Sequence, residues 1–276
     1  MKKTVFAGLL AATAFVSPAS AATIVNPIHL WTFNDGTAKD SVGNLDGTLH
    51  GNAKIENGKL VLDGDKGRGG TFMSTGEMGD TFTAHTLVAW VSLDNLTQRG
   101  GAALSVVDNP GQGSANEKFN AIVYGERTAN QWMAGSDFFR RTPVNNGGAK
   151  ETSLDEHMIA VTYAANGAIT IYRDGQFYAS GGTYNALTFA NPIVLLGLRH
   201  PSVAGTNGLL KGSINQAAIY DTSFTADEIG SLYAQGTVVG GAGAVPEPAT
   251  WALFILGFGA VGGAMRSRKR MSVSYS

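Results

Sequence analysis

Two tight turns near the middle of the chain fix the direction of three consecutive segments. Asn166-Gly167 separates residues 159–163 from residues 169–173, and Asp174-Gly175 then separates these from residues 176–179. The segments are rich in β-branched and aromatic residues. Asn-Gly and Asp-Gly are strong hairpin signals, because both residues of each pair tolerate positive φ. We therefore predict three antiparallel strands in a row.

The same alternation of short apolar runs with Gly, Asn and Asp clusters continues over residues 22–236. Together with 37 glycines in the chain, it predicts an all-β, two-sheet antiparallel sandwich rather than alternating strands and helices. Residues 87–93 are apolar on both faces, as expected for a strand in a two-sheet core that contains Trp90. Residues 193–198 and 209–220 are the last predicted strands. The length favours a single domain.

One short helix is predicted after the last strand. Thr225 and Glu228 have the spacing of a capping box, in which each residue satisfies a free backbone N–H of the other. Ile229, Leu232 and Tyr233 give this helix an apolar side, and Gly236 ends it.

The first 21 residues have the features of a secretory signal peptide. Lys2 and Lys3 precede the apolar residues 5–16, and Ala19-Ser20-Ala21 forms an A-x-A cleavage signal before Ala22. A first core helix is the alternative interpretation. The order of charge, apolar stretch and small residues favours export.

The C-terminal end has the pattern of a membrane-spanning segment. Residues 249–265 carry no charge, and as a helix they would span about 26 Å, just enough for a thin bilayer. A flexible linker, residues 237–244, comes before this end of the chain. The basic cluster that follows the apolar run consists of Arg266, Arg268, Lys269 and Arg270. By the positive-inside rule, the C-terminus is expected in the cytoplasm and the rest of the protein outside the inner membrane.

Residues 245–270 closely resemble a PEP-CTERM sorting signal of Gram-negative bacteria. The likeness consists of the tripeptide Pro246, Glu247 and Pro248, then Trp251, the Gly-rich apolar run and the basic cluster. It implies a partner, the membrane-embedded exosortase protease, which cleaves near the tripeptide, and delivery to the cell surface or extracellular matrix. The tail, residues 271–276, departs from family members, which usually stop sooner. An ordinary single-span anchor is the alternative, although the interior glycines favour a weak helix suited to processing.

Composition excludes some classes of protein. The chain has no cysteine, so no disulfide stabilises the fold and no thiol serves as nucleophile or metal ligand. The two terminal signals hold six of the 20 Lys and Arg residues and one of the 21 Asp and Glu residues, which leaves 14 basic against 20 acidic residues. This mildly acidic remainder argues against nucleic acid as a partner.

Most of residues 28–236 resemble the laminin-G-like jelly rolls of the concanavalin A-like lectin/glucanase superfamily. The segments that carry the likeness are, in chain order, residues 30–36 with 39–44, 58–64, 85–91, 157–175 and 211–229. They resemble the opening strand with its Asp/Gly/Asn loop, the next strand, the Trp-bearing strand, the central hairpin, and the closing strand with its helix. The resemblance implies a concanavalin A-like jelly-roll sandwich over residues 22–236.

The resemblance also implies a structural calcium ion, since many such jelly rolls carry one. The candidate ligands are Asp35, Asp40 and Asp63, because calcium prefers carboxylate and carbonyl oxygens in loops. Asn215 stands where the family often has Asp, which removes a negative charge. The alternative is that the three aspartates hydrogen-bond to their own turns.

The sequence lacks the carboxylate pattern of the glucanase relatives. Retaining sugar hydrolysis needs two carboxyl groups about 5–5.5 Å apart, and no E-x-D-x-x-E run is present. Glu117, Glu126 and Glu151 are solitary in the sequence, while Asp155 and Glu156 are adjacent and would face opposite sides of a strand. We therefore predict that the protein is not an enzyme.

The histidines also lack a catalytic or metal-binding pattern. There is no H-E-x-x-H motif and no G-x-S-x-G elbow. We interpret His29, His50, His85, His157 and His200 as surface or strand-end residues.

Carbohydrate binding is the preferred function. Aromatic faces and planar hydrogen-bonding groups suit sugars, and Trp132, Phe138, Arg140 and Arg141 are the candidate surface for a polysaccharide or an anionic polymer. The alternative is a buried strand with its flanking loop. We predict a non-catalytic surface or matrix protein that binds an extracellular polysaccharide or matrix protein. The alternatives are a structural matrix component without a discrete ligand and, less favoured, a cryptic glycoside hydrolase.

Overall fold

The alternating segments of the sequence form strands, because β-branched and aromatic side chains pack well on a pleated, half-buried surface. The computed structural model of the protein describes residues 24–113, 116–137 and 148–236. Within these residues every pair of neighbouring strands is antiparallel.

Within the described ranges, the first sheet has eight strands. In spatial order they are β13 (Gln176–Thr183), β12 (Ala168–Arg173), β11 (His157–Tyr163), β7 (His85–Leu93), β16 (Lys211–Tyr220), β4 (Lys59–Asp63) and β3 (Lys54–Glu56), with β1 (His29–Trp31) paired to the end of β16.

In the part of the chain that the structure describes, the second sheet has six strands and a small third sheet has two. The six, in spatial order, are β10 (Trp132–Ser136), β9 (Lys118–Tyr124), β8 (Ala102–Asp108), β15 (Ile193–Leu196), β5 (Phe72–Glu77) and β2 (Gly47–His50); the two are β14 (Phe189–Ala190) and β6 (Thr81–Phe82). The arrangement confirms the predicted all-β class.

The main core lies between the two large sheets, and β7 shows why both of its faces are apolar. Leu87 and Val91 belong to the cluster that combines side chains from both sheets. Val88 and Trp90 point the other way and pack in a second cluster with the helix α1 (Ala226–Ala234). Trp90 is therefore a core residue, as predicted, but it packs beneath the helix rather than between the sheets.

The helix begins at the predicted capping box. The Thr225 side chain accepts from the backbone N–H of Glu228, and the Glu228 carboxylate accepts from the backbone N–H of Thr225 at 2.7 Å. Ile229 and Leu232 are buried, whereas Tyr233 is 44% exposed. The buried part of the predicted apolar side therefore consists of Ile229 and Leu232, and Tyr233 lies at its exposed edge.

The two central turns differ in geometry. Asp174 and Gly175 have φ values of 51° and 76°, as predicted for a two-residue hairpin loop. At the other turn only Gly167 has positive φ, at 83°, and the predicted hairpin forms, since β11 and β12 pair antiparallel across it. A Cβ on Gly167 would lie 1.5 Å from the carbonyl oxygen of Tyr184, which shows how closely this turn packs on the segment after β13.

Several predictions concern residues outside the described ranges. These are the signal peptide (1–21), the linker (237–244), the sorting signal (245–270) and the tail (271–276). Among the described residues, no helix has the length and apolar character needed to span a membrane.

Candidate functional site

Trp132, the aromatic residue proposed for ligand contact, is buried. It is 2% exposed and belongs to the main core, where it packs edge-on against Tyr124 with ring centroids 5.0 Å apart. The prediction of a Trp132 surface is therefore wrong, because the alternation of β10 turns this side chain toward the facing sheet. Phe138, Arg140 and Arg141 lie outside the described residues.

The three aspartates proposed as calcium ligands are not brought together. Asp35 accepts from both the backbone N–H and the hydroxyl of Thr37, and Asp63 accepts from the Asn52 amide at 2.8 Å. In the described part of the chain, no group of three or more His, Asp or Glu side chains is arranged to hold a metal.

Asp40 has its own buried partners. It accepts from His29 Nδ1 at 2.6 Å and from the backbone N–H groups of Leu30, Val42 and Leu45. Burial opposes ionisation of this carboxyl, but these hydrogen bonds prevail and hold its pKa below the usual range. With its oxygens occupied in this way, Asp40 does not fit a calcium ligand, and calcium binding stays a prediction.

The solitary glutamates of the sequence have partners in the fold. Glu117 is 1% exposed and lies 2.6 Å from His200 Nδ1, and Glu126 lies 2.6 Å from Arg199. Both oxygens of Glu151 accept from Arg173, at 2.5 and 3.1 Å. Glu126 and Glu151 are thus held in ion pairs with arginines, and Glu117 is held by its hydrogen bond to His200. The sequence alone did not indicate these partners.

A cleft opens at one end of the sandwich, where β10 and β11 end and β12 begins. Its polar lining residues are Thr83, Asn120, Ser136, Tyr163, Tyr184 and Asn185. Its volume is about 240 Å³ including the open mouth, below the 300–1,000 Å³ of pockets for drug-sized ligands. The space within this cleft that is open to a water-sized molecule, which we call the recess, has room for about one water molecule.

Buried polar groups form a chain of hydrogen bonds at the floor of this cleft. His85 is fully buried, its Nδ1 lies 3.0 Å from the carbonyl oxygen of Thr83, and its Nε2 lies 3.2 Å from Asn120 Nδ2. The Ser136 hydroxyl donates to Asn120 Oδ1 at 2.6 Å. The His85 ring stacks on Tyr163 with centroids 4.7 Å apart. Each group in the chain has a partner, as buried polar groups require.

The floor of the cleft is uncharged at neutral pH. Burial lowers the pKa of His85 to about 4, which keeps its ring neutral. Burial also raises the pKa of Tyr163 far above its ordinary value, and its hydroxyl donates to the carbonyl of Gly135 at 2.8 Å. Among the described residues that line the cleft there is no Asp, Glu, Lys or Arg.

His29, His50, His85 and His157 each stand at the end of a strand, as predicted. The surface alternative is wrong for the histidines whose side chains are buried. His29 and His200 are each 6% exposed and pair with carboxylates, and His85 is fully buried. A signal for His85 was present in the sequence, because the inward alternation of Leu87, Ala89 and Val91 extends back to residue 85.

The comparisons with known proteins agree with this architecture. Residues 65–230 match the model of a laminin-G-like family that is described as part of the concanavalin A-like lectin/glucanases superfamily. The chain belongs to this superfamily. Residues 244–269 of this concanavalin A-like protein match the PEP-CTERM protein-sorting motif, which confirms the second resemblance. The search of curated proteins found no match to this protein.

Solved structures share the concanavalin A-like fold at low identity. Domain 4 of AbnA, an extracellular arabinanase of Geobacillus stearothermophilus in complex with arabinotriose, is 19% identical with a TM-score of 0.59, over 75% of this chain and 98% of that one. A Trypanosoma rangeli sialidase in complex with sialic acid is 17% identical with a TM-score of 0.55, over 74% of this chain and 32% of that one. The binding domain of botulinum neurotoxin DC, in complex with SialylT, is 11% identical with a TM-score of 0.51. The match covers 75% of this chain and 51% of that one.

These likenesses show the fold alone. The chain spans nearly all of the arabinanase domain but only about a third of the sialidase.

Proposed function

We propose that this concanavalin A-like protein is an exported, non-catalytic surface or matrix protein that binds a neutral carbohydrate in the cleft at the end of its sandwich. The observation that carries the proposal is the chemistry of the lining. Hydroxyl and amide groups from Thr83, Ser136 and Asn185 stand beside the tyrosine rings, with no ionised side chain among the described lining residues. Such groups match the hydroxyls and the apolar faces of a sugar ring.

The same chemistry favours binding over hydrolysis. Glycoside hydrolysis uses one carboxyl group as acid and a second as base or nucleophile, and neither is found among the described residues of the cleft. Glu117 and Glu151 are each held by a cationic or histidine partner elsewhere in the fold. The arabinotriose in the arabinanase domain complex supports carbohydrate as a ligand class for this fold.

The sorting motif supplies the route to the cell surface. A PEP-CTERM match at residues 244–269 implies export and processing by an exosortase. We propose that the signal peptide directs translocation, that the C-terminal segment holds the protein in the inner membrane with its basic end in the cytoplasm, and that processing then delivers the body of the protein to the surface or matrix.

A glycan array tests the binding proposal. The full chain is purified in a detergent without a sugar headgroup and applied as wild type, Tyr184→Ala and Tyr233→Ala. Tyr184 lines the cleft, whereas Tyr233 is a partly exposed tyrosine on the helix and serves as the matched control. We expect saturable binding of a neutral glycan by the wild type and the control, and its loss in Tyr184→Ala.

Two results contradict the proposal. The absence of binding to any glycan would favour a structural matrix component, the main alternative. Release of reducing sugar from a bound polysaccharide would show a hydrolase.

A further inference from the structure

Asn120 and Ser136, two members of the series of buried hydrogen bonds that begins at His85, border the recess of the cleft. Ser136 is 3% exposed and Asn120 is 2% exposed, and both line the cleft. His85 does not line it, although it contacts Asn120 directly. The direction of each hydrogen bond in this series decides whether the recess presents a donor or an acceptor to a ligand.

One end of the chain has a fixed direction, because a backbone carbonyl only accepts. The Thr83 carbonyl lies 3.0 Å from His85 Nδ1, so Nδ1 carries the proton of the neutral ring and Nε2 presents its lone pair. Asn120 must then turn its amide nitrogen to Nε2, at 3.2 Å, and its Oδ1 toward Ser136. Ser136 therefore gives its only hydroxyl proton to Oδ1, at 2.6 Å.

We propose that His85, acting through Asn120, fixes Ser136 Oγ as a hydrogen-bond acceptor toward the recess, so that the recess takes a free sugar hydroxyl that donates. The inference deepens the proposed function, on which its ligand assignment rests. The size of the recess agrees with it, since a space for one water also holds one hydroxyl group. His85 is a positioning residue in this arrangement.

The arrangement reverses when His85 gains a proton. An imidazolium donates from both nitrogens, so Nε2 would face the amide N–H₂ of Asn120, and the amide would have to rotate and donate to Ser136. Packed around His85 are the rings of Tyr163, Phe82 and Phe189. The charged pair of Lys118 and Asp108, 2.7 Å apart, lies beyond them, with the Lys118 ammonium 5.5 Å from the centre of the Phe189 ring. Burial lowers the pKa of His85 to about 4, which places the reversal in mild acid.

Nitrogen NMR of the His85 ring tests the hydrogen-bond directions without a ligand. We expect a neutral ring protonated on Nδ1 at pH 7 in the full chain. In Asn120→Asp the new carboxylate cannot donate to Nε2, so we expect His85 to be protonated on both nitrogens to a higher pH than in the wild type. Asn185→Asp, at the exposed rim of the cleft, is the matched control and should leave the ring unchanged. A neutral ring protonated on Nε2 in the wild type would overturn the proposal.

Binding of fluorinated sugars tests the ligand assignment. The probes are methyl α-D-glucopyranoside, methyl α-D-galactopyranoside and their monodeoxyfluoro derivatives, in which fluorine replaces one hydroxyl at similar size but cannot donate. We expect the affinity to fall by about ten-fold or more at one ring position, because the lone pair of Ser136 loses its donor. Equal affinities at all positions would overturn the assignment while leaving carbohydrate binding intact. If neither parent sugar binds although the glycan array finds a neutral glycan, the ligand assignment is overturned and the proposed function stands. If the array also finds no glycan, the proposed function fails, and the His85 protonation state still decides the directions of the hydrogen bonds.

Discussion

Replacing His85 by glutamine is expected to make folding less sensitive to acid. Burial lowers the pKa of His85 to about 4 in the folded protein, whereas the pKa of a histidine in the unfolded chain is near 6.5. Between these values the unfolded state binds more protons, so stability falls as the pH falls. The difference between the two pKa values of His85 corresponds to about 3 kcal/mol in the free energy of unfolding. About 2 kcal/mol of this is lost between pH 7 and pH 5.

Urea unfolding, followed by tryptophan fluorescence, measures this effect at several values between pH 7 and pH 5. Trp31, Trp90 and Trp132 are buried and report on the core. The wild-type midpoint should fall by about 1 M urea more than that of His85→Gln over this range, for a slope of about 2 kcal/mol per M. Burial also lowers the pKa of His200, but that residue is present in both proteins and cancels in the comparison.

The carboxylates with lowered pKa act at lower pH and do not mask the effect. Asp40 and Glu117 contribute fully to stability when the pH is above their ordinary pKa values of 3.8 and 4.5. This contribution is lost as the pH falls toward the lower pKa values that these carboxyl groups have in the folded protein. If the midpoints of the wild type and of His85→Gln fall in parallel from pH 7 to pH 5, the argument that burial holds His85 neutral is refuted.

Three further predictions concern the core, the helix and the sorting signal. Trp132→Ala should lower the free energy of unfolding by about 3–5 kcal/mol, because it empties a buried site between the sheets; a change below 1 kcal/mol by urea unfolding would contradict its burial. Thr225→Ala should cost about 1 kcal/mol through loss of the helix cap, and Thr225→Ser, which keeps the hydroxyl, should cost less in the same measurement. Replacement of Pro246, Glu247 and Pro248 by alanine should leave the full-length protein in the membrane fraction, as detected by immunoblot and intact mass, whereas normal release would show that this motif does not direct sorting.

The fold could be predicted largely from local signals. Asp174-Gly175 makes a hairpin because its two residues adopt positive φ, and Thr225 and Glu228 cap the helix through contacts three residues apart. The alternation of β7 predicted a strand with both faces buried, but it could not show that Trp90 packs beneath the helix, because the partner of each face comes from residues distant in the chain.

The candidate site could not be predicted in the same way. Its hydrogen-bonded groups come from three strands, since His85, Asn120 and Ser136 lie far apart in the sequence. Trp132 was assigned to the surface because an aromatic residue near two arginines fits either a binding face or a core strand. Only the pairing of β10 with β9, which turns Trp132 toward Tyr124 in the core, distinguishes the two.

The amino-acid sequence by itself determined the strands, the tight turns, the helix cap and the sorting motif, because each depends on residues close together in the chain. The tertiary structure decided which polar groups are buried and what they contact. Burial of His85 at the end of two packed sheets sets both its charge and the direction of its hydrogen bonds, and these depend on distant segments that the sequence does not place side by side.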